Sequence, residues 1–234
     1  MSGNPVSGTT RRHSRLWRVH ALLAPVVLAA APLISHADEP PRLIARVDVG
    51  LLALANAGAK GGGLSVKTGG TGAGLTDGAG FEFGVEVRVS RWIALDLGAG
   101  WYRPDLEVGR DRGAQTMVDY RSASVDLRTL TFGLVVTPPK LRSEQGRLAF
   151  GALLQHAEIP EVPAHLGLSV EEGVTGGGFD VRGEWFLSKN RRWGIGGALA
   201  FVGGEPTFID VETGATGSLQ VSGMFLRLGV RWAW

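Results

Sequence analysis

Over residues 222–234 apolar and polar positions alternate. Met224, Leu226, Leu228, Val230, Trp232 and Trp234 share one parity, and Phe225, Arg227, Gly229, Arg231 and Ala233 share the other. A period of two predicts a β-strand with one apolar face and one charged or small face. The same pattern predicts strands over 43–54, 81–89, 92–102, 124–137, 147–156, 176–187 and 192–202. Between them, 56–80, 103–122, 157–173 and 203–217 read as long polar or glycine-rich loops, and Ser90-Arg91, Pro138-Pro139 and 188–191 as short connections or strand ends. Eight strands joined by alternately short and long links, with both ends on one side, predict an all-β fold. The expected form is an eight-stranded antiparallel up-and-down transmembrane β-barrel.

The register of the last strand is constrained. A slip by one residue turns Arg227 and Arg231 onto the apolar face, which costs about 2–4 kcal/mol each near the middle of a bilayer. One strand is less regular. Leu130, Phe132, Leu134 and Val136 share a parity with Asp126 and Arg128, so either the strand runs past the apolar band or a bulge resets it.

Alternation does not say which face points out, because a soluble eight-stranded container has the same period with its apolar face inward. Two features favour the apolar face outward. The polar faces are rich in glycine (Gly50, Gly84, Gly98, Gly100, Gly151, Gly194, Gly196, Gly229), which suits the crowded inside of a narrow barrel. Tryptophans also fall at strand ends. With the amino end periplasmic, Trp92, Trp185, Trp193, Trp232 and Trp234 lie at the periplasmic rim and Trp101 and Tyr102 at the outer rim, as an aromatic girdle would.

Composition adds an export signal. Of the 24 basic residues, Arg11, Arg12, Arg15 and Arg18 lie in the first 37 positions, which hold no Asp or Glu. An apolar run over 21–34 follows, then Ser35-His36-Ala37 with small residues at the −3 and −1 positions of a cleavage site, the three-part pattern of a secretory signal peptide. The run is shorter than the roughly 20 residues of a spanning helix. The Arg11-Arg12 pair is read as part of an ordinary basic leader. The expected domains are a cleaved signal peptide over 1–37 and an outer-membrane barrel over 38–234. Without the leader, 20 basic residues stand against 22 acidic ones, so the formal charge of +2 implies no nucleic-acid partner. The absence of cysteine leaves no disulfide framework and no thiolate metal site.

Several stretches resemble the outer membrane protein W (OmpW) family. They are 89–107, from Val89-Ser-Arg-Trp-Ile-Ala through Trp101-Tyr-Arg-Pro; 125–134; Gly177-Gly-Phe-Asp-Val with Arg192-Trp-Gly-Ile-Gly; and Leu226-Arg-Leu-Gly-Val-Arg-Trp. The family usually closes on Phe, where this chain has Trp234. The resemblance implies a narrow barrel in a Gram-negative outer membrane, proposed to pass small hydrophobic solutes. The expected partners are the lipid bilayer with lipopolysaccharide, the outer-membrane assembly machinery through the last strand, and a small apolar solute. A closed structural or adhesive barrel is the alternative.

The candidate lumen-lining charges are Arg46, Asp48, Glu82, Glu86, Arg88, Asp96, Asp180, Arg182, Glu184, Arg227 and Arg231. They read either as a structural ion-pair network or as a polar constriction. Ile159, Val162, Leu166, Leu168 and Val170 line an outer mouth or fold on themselves. His156, His165 and Ser169 lack the spacing of a catalytic group, and Lys67-Thr68 follows Val66 where a phosphate loop needs Gly. Neither catalysis, a metal nor a cofactor is expected.

Overall fold

The computed structural model describes residues 43–54, 71–111, 118–143, 145–170, 173–187, 192–204, 206–219 and 223–234. The signal-peptide expectation, much of the first loop and its Lys67 therefore lie outside the described residues. The strands are β1 (Leu43–Leu54), β2 (Thr71–Arg88), β3 (Ile93–Asp111), β4 (Val118–Ser124), β5 (Leu127–Val136), β6 (Gly146–Glu158), β7 (Leu168–Val170), β8 (Val174–Phe186), β9 (Trp193–Val202), β10 (Thr207–Asp210), β11 (Thr216–Ser218) and β12 (Gly223–Ala233). In the main sheet the order β2-β1-β12-β9-β8-β6-β5-β3 closes through pairing of β2 with β3. Every neighbour is antiparallel.

The barrel has eight staves because β4 and β5 form one. Both pair with β3 in a single register, Asp105 opposite Ser124 and Tyr102 opposite Leu127. The interruption at Val125-Asp126 faces Pro104. The Val125 N–H donates to the Pro104 carbonyl at 2.9 Å, but proline has no N–H to return. Since the register does not shift, no bulge separates Asp126 and Arg128 from the apolar face of β5. The stave extends past the apolar band, and both residues are exposed.

The loop expectations need correction. Residues 71–80, 103–111 and 118–124 are strand, so the β2–β3 and β3–β4 pairings rise well beyond the rest of the wall. A register shift between Leu75 and Gly78 bends β2 opposite Pro104. The 203–217 segment contains β10 and β11, which join β7 from the preceding connection in a three-stranded sheet. The Ser90-Arg91 connection is a four-residue turn in which the Ser90 hydroxyl accepts the Trp92 and Ile93 N–H groups at 3.2 and 3.1 Å.

The apolar faces point outward. Val47, Val49, Phe81, Phe83, Leu134, Phe150, Leu154, Phe179, Ile195 and Val230 are exposed, and Leu228 reaches 62%. Phe225, three residues earlier on β12 and on the opposite parity, is 2% exposed. An exposed apolar belt on every barrel strand far exceeds the patch a water-soluble surface carries.

Candidate functional site in the barrel interior

The interior has two unlike halves. Toward the long connections it is apolar. Leu52, Tyr102, Leu127, Leu153, Ala200 and Phe225 point in from the wall, and they pack with Leu75, Leu106, Val108, Leu166, Leu168, Phe208 and Leu219 from the extended strands and the small sheet. Below this layer the inward positions carry charge. All eleven residues singled out from the alternation are buried there, and a twelfth, Arg147, joins them. Alternation along β6 already placed Arg147 opposite Leu148, so the signal was present. With it, Arg46, Arg88, Arg147, Arg182, Arg227 and Arg231 balance Asp48, Glu82, Glu86, Asp96, Asp180 and Glu184.

Six of these close a ring of alternating sign. Arg46 reaches Glu82 at 2.6 Å and Asp96 at 3.0 Å. Arg182 bridges Asp96 at 2.8 Å and Asp180 at 2.6 Å. Arg227 bridges Asp180 at 3.6 Å and returns to Glu82 at 2.5 Å. A branch leaves the ring at Arg46 through Asp48 (3.6 Å), and Arg231 carries it on to Glu184 (3.2 Å). Arg147 then links Glu184 and Glu86, each at 2.6 Å. The ring draws on β1, β2, β3, β8 and β12, so it spans the lumen instead of lining one wall. Glycine makes the span fit, since a Cβ at Gly84 or Gly98 would run into the Arg46 guanidinium. A small apolar cluster of Ala94, Val135 and Ala149 lies beneath.

Tyr102 marks the boundary between the halves. The sequence placed it at the outer aromatic rim, but its parity on β3 is inward and it is buried. Its hydroxyl donates to Glu82 Oε2 at 3.3 Å, and its ring meets Phe225 edge-on with centroids 5.1 Å apart.

The tryptophans expected in the girdle lie on the wall or, for Trp92, in a turn. Trp185, Trp193, Trp232 and Trp234 are exposed at the short-turn end, where Trp232 stacks on both Trp193 and Trp234 at 4.8 Å. Trp92 sits in the turn with the Arg91 guanidinium 4.8 Å from its ring. Trp101 stacks on Phe81 further up the wall.

A second buried ion pair holds the small sheet over the apolar half. Arg110 of β3 donates through Nε to Asp210 of β10 at 3.0 Å and through Nη2 to the Leu166 carbonyl at 2.5 Å. The Asp210 carboxylate also accepts the Glu212 N–H at 2.9 Å. Of the five loop apolar residues, Leu166 and Leu168 are buried in the upper core, and Ile159, Val162 and Val170 pack against it. The loop therefore folds onto the barrel. Sequence alternation cannot show this pairing, which joins residues 100 positions apart. Replacing Arg110 by Ala strands a buried carboxylate. The β7 and β10 amides are expected to exchange with deuterium faster, while the closed barrel keeps its heat-modifiable gel mobility; unchanged exchange would remove Arg110 as the latch.

His156 Nδ1 lies 3.0 Å from Thr175 Oγ1 on the barrel wall, whereas His165 and Ser169 are exposed in the loop layer.

An apolar outer wall, a filled interior with one charged half and eight closed antiparallel strands define the architecture of a small outer-membrane-type barrel. Two solved structures agree. The outer membrane protein OprG from Pseudomonas aeruginosa is similar over 85% of this chain and 98% of its own, with 10% sequence identity and a TM-score of 0.63. The outer membrane protein AlkL, solved in DMPC lipid bilayers, is similar over 82% of this chain and 90% of its own, with 12% identity and a TM-score of 0.50. Outer Membrane Protein W of E. coli aligns over 84% of this chain and all of its own, with 15% identity and a TM-score of 0.49. No protein-family model and no curated protein matches the sequence. The likeness is one of fold, and the fold is the small eight-stranded barrel that the resemblance to the OmpW family implied.

Proposed function

We propose that the chain is exported with loss of residues 1–37 and forms an outer-membrane barrel with its short turns in the periplasm. There it provides a narrow passage for small apolar solutes entering from the long-loop side. Assembly would proceed through β12, and the wall would contact phospholipid and lipopolysaccharide. The tryptophans at the short-turn rim would act as its aromatic girdle. The observation that carries the solute reading is the division of the interior. Apolar side chains fill the loop-side half, and the ion-paired ring lies beneath it. A hydrated ion would have to separate buried pairs to cross, whereas an apolar solute would displace only side chains of its own chemistry on the way to the ring. Its exit is then sideways, toward the membrane, and the missing ladder bond at Pro104 lies in the wall of that half.

A closed adhesive barrel is the second reading, favoured by the ordered small sheet over the long-loop end. Vesicles separate the two. With the protein inserted, a lipophilic tracer is expected to enter the membrane faster than in protein-free vesicles, while planar bilayers show no steady ion conductance. Equal tracer entry with and without protein sinks the passage and leaves the adhesive barrel.

A further inference from the structure

We propose that a groove on the outer wall, beside the turn between β5 and β6, binds an anionic glycerophospholipid with its phosphate at Lys140 and Arg142. This rests on the reading of the chain as a membrane barrel with the short turns at one leaflet.

The groove has a volume of about 1110 Å³ and runs along β8, β9 and β12. Trp185, Ile195 and Leu228 wall it, and Lys140 and Arg142 stand at its end. Its floor at Gly183 is bare backbone, because a Cβ there would meet nothing within 4 Å. The ladder sets Gly183 between Leu148 and Gly197, so the apolar belt is notched at this level. An acyl chain fits such a notch, while the headgroup stays at the level of Trp185 and the turn.

The turn is folded back against the barrel. Residues 139–141 form a short 3-10 turn, Arg142 pairs with Arg147 in an isolated β-bridge, and Arg142 Nη1 donates to the Arg91 carbonyl at 3.3 Å. Lys140 is exposed.

Charge complementarity selects the headgroup. The short connections over 89–92, 137–145 and 187–192 contain Arg91, Lys140, Arg142, Lys189, Arg191 and Arg192 against Glu144 alone. The long connections over 56–80, 103–122, 159–173 and 203–222 together contain six basic residues against eleven carboxylates, and the last two contain neither Lys nor Arg. Basic side chains at one membrane surface attract anionic lipid, and the attraction decays within a Debye length. The sign of the charge thus assigns the phosphate to the short-turn end.

The test uses the full protein in micelles carrying equal phosphatidylglycerol and phosphatidylcholine with identical acyl chains. Native mass spectrometry counts the lipids retained. The unaltered chain is expected to keep phosphatidylglycerol in preference. Lys140→Gln with Arg142→Gln lowers that retention about fivefold for each charge removed, the weight of one basic residue at an anionic surface. Gly183→Leu fills the notch and lowers retention with both charges in place. Arg103→Gln, toward the opposite end of the wall, leaves retention unchanged. Equal retention of the two lipids, or a double variant that behaves like the parent, overturns the site. So does loss of retention in Arg103→Gln, which would mark diffuse attraction. Heat-modifiable mobility is followed throughout. If the parent lacks it, the barrel reading fails and not the site alone; if only Gly183→Leu lacks it, the charge variant decides.

Discussion

Asp96→Ala is expected to be among the most destabilising single substitutions in the chain, by about 3–5 kcal/mol, the cost of breaking a buried ion pair from one side. Asp96 is fully buried and accepts from Arg46 at 3.0 and 3.1 Å and from Arg182 at 2.8 Å. Its removal leaves two guanidiniums facing each other across a gap in the ring. The ring also separates the two ends of the lumen, so the same variant is expected to gain a measurable ion conductance that the parent lacks. Denaturant unfolding in lipid vesicles and planar-bilayer recording check the two effects. A stable, silent Asp96→Ala barrel would mean that the ring neither supports the structure nor blocks the lumen. Replacing Asp96 and Arg182 together by apolar residues of similar volume is expected to restore part of the stability, since a lone buried charge costs more than an absent pair.

Leu228→Arg carries the second large effect, and it tests the surroundings of the barrel. Leu228 is 62% exposed on the wall of β12, between Arg227 and Gly229, whose positions face inward. An arginine near the middle of a bilayer costs about 2–4 kcal/mol, falling to about 0–1 near the interfaces. The folding equilibrium in vesicles should therefore shift strongly for Leu228→Arg and weakly for Trp234→Arg at the rim. Equal, small effects at both positions would place the wall in water and remove the membrane reading.

The barrel was legible because a wall between lipid and a crowded lumen imposes period two on nearly every strand. Trp193–Val202 and Gly223–Ala233 are examples. The pattern faded where β2, β3 and β4 leave the belt. There one face meets water and the other meets a cap built from distant loops, so Gly72, Pro104 and Arg110 are inward or buried and the apolar signal thins. Leu106 and Val108 kept the period, yet nothing local showed that they would pack on Phe208 and Leu219. The charged positions were legible one by one from parity. Their joining into a ring was not, because each bond depends on the shear of the closed sheet. Arg147 and Tyr102 are different. Their parity was available, and a face-by-face reading of β6 and β3 places both inside.

The bond between Arg231 and Asp48 joins residues 183 positions apart, and that between Arg227 and Glu82 spans 145. Each crosses the seam where the first and last barrel strands meet. Until that seam closes, Asp48 and Glu82 share Arg46 alone, and Arg227 and Arg231 have only Asp180 and Glu184 of β8. Zippering the seam and neutralising the centre become one event, which makes half-built intermediates costly and gives insertion an all-or-none character.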